Sequence, residues 1–111
     1  MIEQLIEDVL ASEGIESYYL TRPAELKENA VYSYTMKPIS HADNQLQAYE
    51  YSIIINIYVK LGRDISTIRD NVVKAMTLNG FKIKAIPSPN IEKDFVNIAL
   101  QFKIAKFIER R

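Results

Sequence analysis

A chain of 111 residues, 48% hydrophobic and 25% charged, has the size and composition of a single globular domain spanning 1–111. Its formal net charge of zero argues against a dedicated nucleic-acid binder, which carries an excess of Lys and Arg, and its lack of cysteine excludes disulfides and thiolate metal sites. No apolar run approaches the roughly 20 residues of a membrane-spanning helix, and the opening MIEQLIEDVL lacks the basic start and continuous apolar stretch of a secretory signal. A soluble protein of intracellular synthesis is expected.

The two signs of charge are unevenly spread. Residues 1–30 hold seven acids and two bases, whereas residues 60–111 hold eleven bases and five acids. Two readings are open. Either the chain ends lie side by side and neutralise each other, or an acidic face of one copy meets a basic face of another.

Ile2, Leu5, Ile6, Val9 and Leu10 repeat at helical spacing, so a first helix is expected over about 1–12, closed by Gly14. Ser17 to Thr21 reads as a short extended segment, and 25–30 as a surface loop or one weak turn. Alternation in Val31 to Lys37 predicts a strand, which Pro38 should end. Polar residues around Asp43 and Asn44 then predict a hairpin loop over 38–47. In Tyr49 to Lys60 the residues Tyr49, Tyr51, Ile53, Ile55, Ile57 and Val59 fall at every second position, which marks the central strand.

After Gly62, Asp64 or Ser66 can cap a second helix whose apolar face is Ile65, Ile68, Val72, Ala75 and Met76, and Asn79-Gly80 closes it. Phe81 to Ile86 predicts a strand with a basic outer face, and 87–94 an exposed loop. Val96, Ile98, Leu100, Phe102 and Ile104 form the second strong alternating row. Helix, two or three strands, helix and two strands predict an α+β two-layer sandwich of order α-β-β-(β)-α-β-β. Its mostly antiparallel sheet has both helices on one face and exposes Tyr, Asn, Gln and Lys on the other.

Nothing in the residues points to catalysis. His41 is the sole histidine, no Cys exists to serve as nucleophile, and the three glycines stand singly beside helix ends instead of forming a phosphate cradle. The carboxylates read as a solvated face. No enzyme, cofactor or metal is expected. Seven tyrosines with Lys60, Lys82 and Lys103 nearby allow a single-strand nucleic-acid platform, but the aromatic signatures of an RNA-recognition sheet are missing. A protein interface suits the tyrosines better. The candidate partner-contact loops carry His41, Asp43, Asn44, Gln45, Ser88, Asn90 and Lys93. The candidate sheet-face interface carries Tyr58, Lys60, Lys82 and Lys84.

The opening IEQLIEDVLASEG, the strand pair VYSYTMKPIS and YEYSIIINIYVK, the helix ISTIRDNVVKAMTLNGF and the closing NIALQFKIAKFI follow one another in an order that resembles the tail terminator, or tail completion, proteins of tailed bacteriophages. The resemblance implies a non-enzymatic subunit, of phage or prophage, assembling as a ring, commonly a hexamer, on the last ring of the tail tube. Its implied partners are copies of itself, the tail tube protein and the head connector, with DNA passing through the ring and no membrane. Its implied location is the host cytoplasm during assembly and then the virion tail. A head-closure protein of the same region, and a small α+β nucleic-acid- or ligand-binding module, are the alternatives.

Overall fold

The computed structural model describes residues 2–23, 27–40 and 46–107, and the side chains among them except those of 40, 46 and 47. Helix α1 runs Ile2–Ser12 and buries Ile2, Ile6, Val9 and Leu10, four of the five residues on its predicted apolar face. Gly14 ends it at φ +75°, which lets the Ile15 N–H reach back to the Leu10 carbonyl at 3.0 Å. Strands β1 (Ser17–Tyr19), β2 (Asn29–Ser40) and β3 (Leu46–Lys60) follow. Helix α2 (Ile65–Leu78) comes next, then β4 (Lys82–Ala85), β5 (Asn90–Glu92) and β6 (Phe95–Phe107).

The strands form one sheet of order β1-β2-β3-β6-β4, with β5 also on β6. Every pairing is antiparallel except β1 with β2. The central strand is β3, and its register sets the core. Ile53, Ile55 and Ile57 lie opposite Tyr34, Tyr32 and Ala30 of β2 and opposite Phe102, Leu100 and Ile98 of β6. One face of the sheet thereby becomes apolar across three strands, and both helices cover it with Ile6, Leu10, Val72 and Met76 fully enclosed.

The helix ends follow local chemistry. Asp64 caps α2 by accepting from the Thr67 N–H at 3.1 Å and the Thr67 hydroxyl at 2.8 Å, bonds that hold its carboxyl below the usual range. At the other end the Phe81 N–H bonds the Met76 carbonyl across Gly80, at φ +92°, and drops Phe81 into the core edge-on to Phe102.

Three expectations are corrected. Pro38 does not end β2, which runs on to Ser40, because β1 flanks only Ala30 to Tyr32 and a proline is tolerated where the strand is an edge. The expected loop 87–94 contains β5, whose three residues are too few to show a period and which is held by a tight turn at Lys93-Asp94 onto β6. The tyrosines do not gather on the exposed face, which holds Tyr58 with Asn97, Gln101 and Lys103 as expected: Tyr32, Tyr34 and Tyr51 share the helix side with Ile53 and Ile55.

Candidate functional site

At about 3.3 Å per residue β3 extends roughly 50 Å, whereas α1 and α2 at about 1.5 Å per residue cover only some 16 and 21 Å. The molecule is accordingly long, 54 × 26 × 22 Å. The helical layer reaches as far as Tyr51 and Ile104, which pack partly buried against the core, and the three long strands continue past it as an arm. Met36 stands in register with Tyr51 and Ile104 where the arm begins on the helix side, and is 47% exposed. Among the described residues, β2 from Ser33 onward pairs only with β3, and β4 pairs only with β6. The sheet therefore has an open edge on each side, and apolar groups stand at both, Met36 at one and Ile83 and Ile86 at the other.

Where the arm leaves the helical layer, aromatic rings cross the sheet. Tyr19, Tyr34 and Tyr51, one from each of β1, β2 and β3, touch with centroids 5.4 Å apart at both contacts. Helix α1 is tied to this row. The hydroxyl of Tyr32 donates to Glu7 at 2.5 Å and that of Tyr34 to Glu3. Four helical residues rise about 6 Å and two strand residues about 6.6 Å, so Glu3 and Glu7 match Tyr34 and Tyr32 with the helix running counter to the strand. The Tyr34 hydroxyl holds the Glu3 carboxyl below its usual range. Burial first and the Glu7 bond second raise the Tyr32 phenol, and the Glu3 bond first and burial second raise that of Tyr34.

The opposite sheet face carries a different arrangement. The Arg22 guanidinium lies 4.0 Å over the Tyr58 ring and 4.9 Å from that of Phe95. Asn29 and Asn97 flank Tyr58 on the neighbouring strands. Nε and Nη2 of Arg22, both amide atoms of Asn29 and Oδ1 of Asn97 are buried without a hydrogen-bond partner among the described residues. Between the end of α1 and the start of α2 lies a cavity of about 390 Å³, floored by Ile57, Val59 and Val72. At its rim Glu28 accepts from Arg63 at 2.5 Å and from the Lys60 N–H at 2.9 Å.

The sequence-predicted positions scatter. Tyr58 is half-buried beneath Arg22, and Lys60 is exposed at the end of β3. Lys82 stands directly opposite Lys103, and with the neighbouring Lys84 these make one basic flank along β4 and β6. His41, Asp43, Asn44 and Gln45 lie outside the described residues, as do residues 25 and 26 of the loop expected over 25–30, whose last two residues, Asn29 and Ala30, instead open β2. Ser88 is exposed, Asn90 pairs with Asn97 instead of lying in a loop, and Lys93 forms the β5–β6 turn at φ +57°. Sequence reasoning missed Arg22, Asn29, Asn97 and the Tyr–Glu ties. The helical spacing of Glu3 and Glu7 was visible, but only the strand register shows which tyrosines they meet.

No family model matches the chain, and no curated protein does. A solved structure whose name describes no activity aligns over 99% of this chain and 92% of its own at 9% identity, with a TM-score of 0.61. That likeness is one of fold.

Proposed function

We propose that this chain is a structural tail completion protein of a phage or prophage, which forms a ring on the tail tube, ends tube polymerisation and presents a docking surface to the head connector. The observation that carries the reading is the long sheet with an open edge on each side. Unpaired backbone with apolar side chains at an edge is a template for another chain, and a contact that joins one side of a subunit to the other side of the next closes into a ring. The order of segments that resembles the tail terminators adds to it. In this reading the partners are further copies, the tube protein and the connector, DNA threads the ring, and the work is done by shape in the host cytoplasm and then in the virion.

Electron microscopy of the purified protein mixed with growing tail tubes tests this. A ring of density at one tube end and tubes that stop lengthening are expected. Tubes that grow unchanged and bare-ended in its presence would overturn the reading. The 390 Å³ cavity favours a second reading, a small-ligand module, because it falls in the size range of ligand pockets. A ligand screen read by thermal shift, with Asn71→Leu filling the cavity as the control, separates the two.

A further inference from the structure

Charge is sorted across the sheet. From Ile2 to Glu16 the chain carries acids and no base, and this segment lies along the β1 side, where α1 packs on β2 and β1. Glu3 and Glu7 are taken by tyrosines, and Glu16 accepts from Tyr18 at 2.8 Å and pairs with Lys27 at 3.6 Å, which leaves Asp8 on α1 and Glu13 at its C-terminal turn as the exposed acids of this segment without an ion-pair partner among the described residues. At the opposite edge stand Lys82 and Lys84 of β4 and Lys103 of β6, all exposed and without an ion-pair partner among the described residues. Lys82 faces Lys103 directly across the strand pair, an arrangement that like charges disfavour and that an incoming carboxylate would relieve.

The two flanks do not neutralise each other within one copy. Four strand spacings of about 4.8 Å separate β1 from β4, roughly 19 Å, more than twice the screening length of about 8 Å at physiological salt. The sequence left open whether the acidic and basic ends lie side by side; the fold sets these flanks apart.

We propose that the acidic α1–β1 flank of one copy docks on the Lys82, Lys84 and Lys103 flank of the next, so that copies join head to tail through a charge-complementary contact. The inference deepens the ring reading and rests on it. Each copy presents both flanks, so the contact repeats, and a surface of this kind gives register and excludes the reversed arrangement.

The test is a charge swap followed by sedimentation at low ionic strength. One variant carries Asp8→Lys and Glu13→Lys, a second carries Lys82→Glu and Lys84→Glu, and a third carries all four; circular dichroism checks that each is folded. Each single-flank variant is expected to self-associate about tenfold or more weakly than the unaltered chain. The mixture of the two, and the fourfold variant, are expected to restore association. Single-flank variants that associate as strongly as the unaltered chain overturn the proposal, as do mixtures that fail to restore it or an unaltered chain that never self-associates. A milder pair, Asp8→Asn with Glu13→Gln, is expected to weaken association without reversing the flank. If the swaps fail while rings still form on tail tubes, the contact is wrong and the ring reading stands. If the swaps succeed while tubes are ignored, the contact stands and the ring reading falls.

Discussion

Tyr34 and Glu3 illustrate how a single residue pair couples the layers of this fold. The phenol donates to a carboxylate at the start of α1, and the bond is strongest while the carboxyl is ionised and the phenol is not. Glu3 has its folded pKa depressed, so its contribution is present above the unfolded carboxylate value and is lost as pH falls through the lower folded one. Tyr34 and Tyr32 have theirs raised, so their contribution is whole below the unfolded phenol value of about 10 and declines as pH rises beyond it. Tyr34→Phe removes the donor from a half-buried site. It is expected to cost about 1 kcal/mol at neutral pH. Denaturant unfolding across pH should show the gap between variant and unaltered chain narrowing below the usual carboxylate range; a gap independent of pH would contradict the assignment.

At the scale of elements, what could be read in advance depended on length. The alternating rows of β3 and β6 span many residues, and both proved to be long strands of one sheet with their apolar row inward. β5 has three residues and lay hidden in a stretch of Pro, Ser and Asn. Pro38 misled because its effect depends on whether the strand has a neighbour, which is a tertiary fact. The end of α2, by contrast, was legible from Asn79-Gly80, because only glycine takes a positive φ without strain. A Cβ at Gly80 would meet Ile104 at 3.7 Å, an ordinary contact, so space is not the obstacle. Gly80→Ala is therefore expected to destabilise by about 1–2 kcal/mol through the backbone alone. A fall in unfolding midpoint without loss of Phe81 burial, read from near-ultraviolet dichroism, is the matching result.

For the whole molecule, the decisive property is the mismatch between strand and helix lengths. One end of the sheet has a two-layer core and the other is a three-stranded arm that neither helix covers among the described residues. Local stability should follow that division. Amide hydrogen exchange is expected to be slowest at Ile53 to Val59 and Ile98 to Phe102, and faster by orders of magnitude at Met36 to Ile39 and Ile104 to Phe107. Uniform protection along β3 and β6 would show that the arm needs no partner. The pairing is mostly between distant segments, so folding in milliseconds to seconds is expected, measurable by stopped-flow refolding.

By itself the amino-acid sequence determined which residues alternate, where the helices begin and end, and that one face of a sheet is apolar, since these follow from periods of two and 3.6 residues and from the backbone preferences of Asp, Asn and Gly. Only the tertiary structure decided which strands are edges, which tyrosines lie beneath α1, where Arg22 stacks, and that the acidic and basic flanks stand on opposite sides of the sheet. Strand order and register bring together residues far apart in the chain, and no local period encodes them.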